Sequence, residues 1–553
     1  MEHLIDIKHT SALPPSFFVK ATGSFYTPKL IANHIIYRLI IELRNKFSDG
    51  STIRIVDPFA GDGRLVRWFI EEWNNLGMPK VRWKVFLWEI NAKVLKEAKY
   101  ELQKLKTSNI CIDVECHFQD AFEHANSFQS FFDIVISNPP WELLKPDHRE
   151  LNTLNTRAFN SYIYSLRKYD TFLTSTFPDS QPTGKFAGWG TNLSRVGLEL
   201  CYQICNQQGH LGIVMPASFL ADEQSKHLRQ VFLSENSLVD IGYFPAEAKL
   251  FEKVDTDVIS MVSKKIKTNK LSAILCKYDK YGDIVSKRAL NIPNNFFQKC
   301  GYIIPVSFGD SATDLLVRFS KNMPSWNDLE GKQKNNLWSG RELDETRIGN
   351  WLKYPSTSGP LFIKGRMINR YSIVEPPIHK VKKKNWVVPS SVQFERIVWR
   401  DVSRSNQKRR IIATIIPEGY VAGNSLGVAY FTDGNQKSLR GLLGIMSSLV
   451  FEFQIRFHLA TTHVSLSSLR KVFLPDRKSI DCIPKLTNCV DKALKGSLRA
   501  QCQIEAIVAH KVYGLNRDEF SSLMNLFPKV TSLEKNDILK EFDLLRTTKC
   551  MAV

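Results

Sequence analysis

Nothing in the 553-residue chain constrains its fold more than the stretch Asp133-Ile-Val-Ile-Ser137-Asn138-Pro139-Pro140-Trp141. Ile134 to Ile136 read as a short apolar strand, and that strand runs directly into one amide, two prolines and an indole. Each proline fixes its own φ near −65° and lacks an N–H, and Pro140 also restricts Pro139. The turn is therefore stiff, and its carbonyls cannot all be consumed by a sheet ladder. Asn138 Oδ1 and the carbonyls of 138–140 are acceptors, and Trp141 offers a flat apolar face. That set suits a planar amine held on a flat ring. The amine of a purine is a poor nucleophile because its lone pair is spread into the ring. Two acceptors gripping its hydrogens, Asn138 Oδ1 and the Pro139 carbonyl, favour a pyramidal nitrogen and stabilise the positive charge growing there. Positioning and fixed dipoles then suffice, with no general base of tuned pKa. The bland alternative is an Asn-Pro-Pro turn closing a strand, so the residues upstream decide the weight of the motif.

Upstream, Tyr26-Thr27-Pro28 opens a helix from Lys29 to about Arg44, with proline in the first turn. Thr52 to Val56 read as a buried strand, Asp57-Pro-Phe-Ala60-Gly61-Asp62-Gly63 as a tight loop, and Arg64 to Trp73 as a helix. Strand, glycine-bearing loop and helix open a doubly wound nucleotide-binding sheet. The spacing is not Gly-x-Gly-x-x-Gly, and two acids lie in the loop. A diphosphate wants N–H groups and cations, so this loop favours a ligand carrying positive charge, such as an ammonium or sulfonium. A second strand, Lys84 to Trp88, ends at Glu89, where a ribose diol is usually held. A third, Ile112 to Phe118, ends at Asp120, placed to accept from an adenine amino group. The fourth delivers Asn138.

Residues 142–190, rich in Ser, Thr, Asn, Tyr and Lys, read as an irregular flexible insertion. Beyond Gly190-Thr-Asn-Leu-Ser-Arg195 the alternation resumes with a helix at 196–206, a strand at 211–215, a helix at 224–233 and strands at 238–243 and 257–262. Between those last two strands, Phe251 stands in a polar setting and reads as exposed. Past about Lys265 the alternation stops, which sets an expected domain boundary. Residues 270–480 mix short strand-like runs with loops and concentrate basic and aromatic residues: Arg366, Lys382, Lys383, Lys384, Trp386, Trp399-Arg400, Arg404, Arg409 and Arg410. Helices are expected at 441–459 and 486–513.

Lys and Arg number 75 against 55 Asp and Glu, a net charge of +20. Such an excess points to a polyanionic partner, and the basic, aromatic stretch is its expected surface. No segment is apolar enough for a membrane span and no signal pattern opens the chain. The ten cysteines are scattered without a Cys-x-x-Cys, which argues against a disulfide framework or a zinc site and for reduced cytosolic thiols.

In this order, Tyr26-Thr27-Pro28, Asp57-Pro-Phe-Ala60-Gly61, Glu89, Asp120 and Asn138-Pro-Pro-Trp141, with a basic region last, the motifs resemble the gamma class of DNA amino-methyltransferases. The TaqI-like adenine-N6 enzymes of type II restriction–modification systems are the similar group. The resemblance is specific over roughly 20–265. Beyond that it is looser, resting on Ile397-Val-Trp-Arg400 and Ile504-Glu-Ala-Ile507. It implies an α/β fold: a doubly wound, Rossmann-like catalytic domain with a seven-stranded mixed sheet over 1–265, a mixed α/β DNA-recognition domain over 266–480, and a helical segment over 481–553. It also implies S-adenosylmethionine as cofactor. Tyr26 and Thr27 would bind it, Thr27 at its carboxylate, with Asp57, Ala60 and Gly61 at its methionine end and Glu89 at its ribose. Asp120 would meet its adenine amine, with Ile90 and Phe122 as apolar walls. Asn138, Pro139, Pro140 and Trp141 would be catalytic, with Trp141 and Phe251 stacking on a base extruded from duplex DNA. Asn rather than Ser at 138 leans toward adenine over cytosine N4, whereas Trp141 departs from the usual Tyr or Phe. A monomer with a separate cognate endonuclease is expected. Two alternatives stay open: a protein glutamine-N5 methyltransferase, which grips a planar amide in the same way, and a catalytically inert DNA-specificity subunit. A fused nuclease is not expected, since no Asp…Glu-x-Lys constellation falls on strand-like segments and too little chain precedes Gly23 to hold a nuclease domain.

Overall fold

The structure is a computed structural model. It describes residues 26–108, 110–146, 156–182, 184, 189–251, 255–268, 270–292, 294–306, 310–331, 335–345, 356–382, 386–403, 407–459 and 463–550. The chain forms two compact units, Met1–Val306 and Ser307–Val553.

The first unit is built on one mixed sheet. Its parallel half comprises β1 (Thr52–Asp57), β2 (Arg82–Trp88), β3 (Ile112–His117), β4 (Phe132–Ser137) and β5 (Cys205–Pro216). Then come β6 (Ser237–Phe244), β7 (Val258–Lys264), β8 (Leu271–Tyr278) and β9 (Ile284–Ile292). The order is β3-β2-β1-β4-β5-β7-β6-β8-β9. Strands β1 to β5 pair in parallel, while β7 runs antiparallel between β5 and β6. The order reverses at β1 and β4, the switch point where an open sheet parts its crossovers and leaves a crevice at the strand carboxyl ends. Seven strands were expected and nine are present among the described residues, because the hairpin β8–β9 adds to the edge through parallel pairing of β8 with β6. For the same reason the expected boundary at Lys265 falls inside the sheet, and the first unit runs on to Val306.

Helix α1 (Lys29–Leu43) follows Pro28 and buries Ile31, Ile35, Leu39 and Leu43, spaced four apart on one face. Gly212 on β5 lets that face come close, since a Cβ there would lie 2.6 Å from Leu39 Cδ1. His34 fixes its direction: Nε2 lies 2.6 Å from Asp240 of β6 and Nδ1 2.7 Å from the Tyr278 hydroxyl of β8. Arg38 reaches the other oxygen of Asp240 at 2.8 Å. Helices α2 (Arg64–Asn75) and α3 (Ala92–Gln103) follow β1 and β2.

The irregular insertion expected at 142–190 contains helix α4 (Thr156–Thr176). Its signal was present in the sequence. Leu166, Tyr169, Leu173 and Phe177 recur at helical spacing and are all buried, but the surrounding polar residues masked it. Helices α5 (Leu193–Ile204) and α6 (Lys226–Glu235) complete the α/β layer.

The second unit carries a four-stranded sheet in the order Leu337–Gly340, Leu426–Phe431, Arg396–Arg400, Ala413–Ile416, all neighbours antiparallel. Helices follow from Gln436 to the C-terminal region. Each of the two long helices expected here is a pair. Gln436–Met446 and Leu449–His458 break at Ser447-Ser448, where the Ser448 hydroxyl caps the second helix. Pro484–Leu494 and Leu498–Ile507 break at Gly496, whose φ is +93°. No helix among the described residues is long and apolar enough to cross a membrane.

Candidate active site

Register places the singled-out residues along one edge. Asp57 is the last residue of β1 and pairs with Leu87 of β2, so Glu89 lies just past the same line; Val56 pairs with Val135 of β4, which brings Asn138 to it as well. Parallel pairing of β2 with β3 ends at Trp88 and His117, three residues before Asp120.

Asp57 is buried. Its Oδ1 accepts from the Ser137 hydroxyl at 2.6 Å and from the Phe59 amide at 3.1 Å. Burial pushes its carboxyl up to about 7, those hydrogen bonds acting against the rise and Glu89 and Asp62 adding to it. Glu89 accepts from the Gly61 amide at 2.9 Å through Oε2 and from the Asn91 amide at 2.9 Å through Oε1, so it closes the β1–α2 loop over the end of β2. Burial raises its carboxyl too. Gly61 sits at φ +51° and Gly63 at +72°. A Cβ at Gly63 would meet Ala98 Cβ at 3.1 Å, so that glycine sets how closely the loop approaches α3. Ala60 is buried, with its amide on the Trp88 carbonyl.

Asp120 caps the turn Ala121–His124 through Phe122 N and accepts from the Tyr169 hydroxyl of α4 at 2.7 Å. Burial raises its carboxyl while Tyr169 and Phe122 oppose the rise. The Phe122 ring packs on Phe59 at 5.2 Å and on Phe177 at 5.8 Å, and Ile90 is half-buried. Thr27 is buried. Tyr26 is half-exposed, with the Arg64 guanidinium 4.5 Å above its ring. Sequence reading missed Tyr169, which lay in the presumed insertion, and the role of Ser137, which sat inside the quoted motif but carried no assignment.

The hook itself is braced from below. Pro139 is buried against α5, and Gly197 makes that possible: a Cβ there would stand 2.4 Å from Pro139 Cβ. Asn138 and Trp141 are half-buried. Asn192, the cap of α5, donates to the Trp141 carbonyl at 3.4 Å. Phe251, expected to be exposed, is only 5% exposed and belongs to the core beneath β1 and β4. Its ring meets Trp141 edge to face, with centroids 4.8 Å apart at 65°. The two rings are in contact, and no third ring fits between them in this arrangement.

An S-adenosylmethionine-type ligand fits this donor set. Carboxylates line the edge, and the guanidinium of Arg64 is held by Asp62 at 2.6 Å. A sulfonium, an ammonium and a ribose diol all find acceptors there, whereas a diphosphate would meet negative charge.

The basic residues singled out in the second unit divide. Arg366 is exposed, its side chain at 76% and its guanidinium 3.5 Å from Glu375. Lys382 is exposed, and Lys383, Lys384 and Arg404 lie outside the described residues. Arg400 is half-buried on the central strand and donates to the Ile368 carbonyl. Arg409 and Arg410 are buried and do not form the surface expected of them. Arg409 pairs with Glu505 and Glu452, and Arg410 donates through its backbone to Glu452 and through its side chain to the Ser403 carbonyl.

Residues 81–251 match the Eco57I restriction-modification methylase family model. That span takes in Glu89, Asp120, the Asn138–Trp141 hook and Phe251, and begins after Asp57. No curated protein matches the chain. Several solved structures are similar. The type IIG restriction endonuclease BpuSI is 13% identical with a TM-score of 0.39, covering 93% of this chain and 64% of that one. A methyltransferase subunit of a type I restriction-modification system from Streptococcus thermophilus is 17% identical with a TM-score of 0.35, covering 52% and 60%. The type IIL restriction-modification enzyme MmeI, in complex with DNA, is 10% identical with a TM-score of 0.48, covering 96% and 76%. Against the first two of these, the chain spans less than two thirds of their length.

Proposed function

We propose that this chain is an S-adenosylmethionine-dependent DNA methyltransferase of restriction–modification type, acting on the N6 amine of an adenine swung out of duplex DNA. One observation carries the reading: the rigid Asn138-Pro139-Pro140-Trp141 turn stands at the sheet's switch point, with Asp57 and Glu89 on adjoining strand ends. When bound, S-adenosylmethionine supplies an electrophilic sulfonium methyl. Asp57 and the Gly61 loop hold its methionine end, Glu89 its ribose and Asp120 its adenine amine, with Tyr169 fixing the carboxylate of Asp120. Asn138 Oδ1 and the Pro139 carbonyl accept the hydrogens of the target amine and direct its lone pair toward the methyl. As the new N–C bond formed and the S–CH3 bond broke, its electron pair staying on the sulfur, those acceptors would stabilise the positive nitrogen until it gave a proton to solvent. Extrusion is required because N6 lies inside the stack, at a cost of a few kcal/mol. Stacking on Trp141 returns about 1–3 kcal/mol. The exposed Arg366 and Lys382, together with Lys383, Lys384 and Arg404, are the cations proposed to face DNA phosphates.

The test is transfer of labelled methyl from S-adenosylmethionine to defined duplexes, followed by nucleoside analysis. N6-methyladenine is the expected product. Label in N4-methylcytosine, or in the glutamine of an acceptor protein with none in DNA, would replace this reading.

A further inference from the structure

Beside the hook, and separate from the acidic edge, lies a cleft of about 300 Å³. The start of α5 and the start of α6 both border it, so two positive helix ends face one space. The first-turn amides of Ser194 and Arg195 are already capped by Asn192, and α5 therefore contributes field rather than donors.

The donors come from two buried side chains. Arg195 is 6% exposed, and its Nη2 donates to the Gly190 carbonyl at 2.6 Å. Its Nε is buried with no hydrogen-bond partner among the described residues. Ser225 is 1% exposed and occupies the cap position of α6, where a serine hydroxyl ordinarily accepts from the helix. It makes no cap bond, and its hydroxyl also lacks a partner among the described residues. A buried donor left unsatisfied is costly, more so when it is charged. One charged and one neutral donor on one cleft, under two helix ends, describe a place built for an acceptor. The carboxylate among the described lining residues, Asp222, faces Arg195 and is also answered from behind: it accepts from the Ser225 amide at 2.7 Å and lies 3.6 Å from the fully buried Arg229.

We infer that this cleft binds a phosphoryl oxyanion through Arg195 and Ser225, and that the oxyanion is a backbone phosphate of the DNA strand whose base enters at Trp141. The inference rests on the function proposed above. The link to that strand is short: Asn192, at the mouth of the cleft, donates to the Trp141 carbonyl, and Leu193 N bonds the Glu142 carbonyl at 2.9 Å. A phosphate held here would fix the strand next to the extruded nucleotide, which makes Arg195 a positioning residue.

The experiment compares the full-length wild type with Arg195→Gln, Arg195→Lys and Ser225→Ala. Duplex binding is measured across a salt series, and inorganic phosphate is titrated as a second probe. S-adenosylmethionine affinity serves as the check that each variant is folded. Loss of one phosphate contact should lower the slope of log affinity against log salt by about one. At fixed salt, Arg195→Gln should bind duplex roughly tenfold or more weakly, and Arg195→Lys should recover most of the slope. Ser225→Ala should weaken phosphate binding without loss of fold. If phosphate binding falls in the variants while the duplex slope stays at the wild-type value, the site serves a free anion and its assignment to DNA is overturned. Unchanged behaviour toward both probes means the cleft holds only water, which overturns the proposal entirely. A wild type that binds and methylates duplex DNA separates these failures from failure of the proposed function.

Discussion

In the first unit, Asp57, Glu89 and Asp120 stand at successive strand ends, each held by a neighbouring amide or hydroxyl at the crevice edge. In the second, arginines turn inward. Arg370, Arg409 and Arg456 converge on Glu452 and Glu505, and Arg396 pairs with Glu342 with both side chains fully buried. Short acids following a strand have nowhere to go but the strand's end, so their position follows from the chain path. Long basic side chains can reach the surface or fold back to a buried carboxylate, and local sequence does not say which. The first unit gathers charge at the candidate site, while much of the second unit's charge is internal structure.

The sharpest way to break that contrast is to remove one internal carboxylate. Glu505→Ala removes the carboxylate that Arg370 and Arg409 share and should destabilise the second unit by about 3–5 kcal/mol in chemical unfolding. A loss below 1 kcal/mol would mean the cluster is not the structural core described here.

Asp57 gives the next largest effect. Its folded-state pKa, about 7, lies above the ordinary carboxylate value. Its neutral form therefore favours the native state at low pH, and that contribution disappears as pH rises through about 7. Wild-type unfolding free energy should fall between about pH 4 and 7 and level off above that, with Asp57 accounting for on the order of 4 kcal/mol across the whole window. Glu199, also pushed up to about 7 by burial, adds to the fall. Asp57→Asn should flatten much of the profile, and an unchanged profile would show that Asp57 is ionised throughout.

Gly197→Ala would sharpen the picture of the first unit. The added methyl must displace Pro139, and a shift of the hook by about an ångström should lower methyl transfer roughly a hundredfold, with S-adenosylmethionine affinity little changed. Full activity would show that the hook tolerates movement. Arg366→Ala is the smallest effect. It should alter stability by no more than about 0.5 kcal/mol and lower the salt dependence of duplex binding by about one contact. Arg410→Gln should do the reverse, losing stability with its salt slope retained.

What the sequence revealed follows the same division. Strands β1 to β4 and their terminal residues were legible, because a buried parallel strand is a short apolar run whose end is marked by a turn. Helix α4 was not, since Leu166, Tyr169, Leu173 and Phe177 are diluted by polar residues, and with it went the Tyr169 partner of Asp120. Phe251 looked exposed because its sequence neighbours are polar, yet its ring packs into the core on Trp141. Gly197 was invisible, since its importance is the absence of a side chain opposite a proline 58 positions earlier. The buried fate of Arg409 and Arg410 depended on Glu452 and Glu505, far along the chain, and no local pattern announces such a pairing.

The account stands on the hook's power to make an aromatic amine reactive, and Asn138→Ala measures it directly. At saturating S-adenosylmethionine and duplex, the variant should transfer methyl groups about 10²–10³-fold more slowly than the wild type while binding the cofactor with equal affinity. Transfer at the wild-type rate would contradict it.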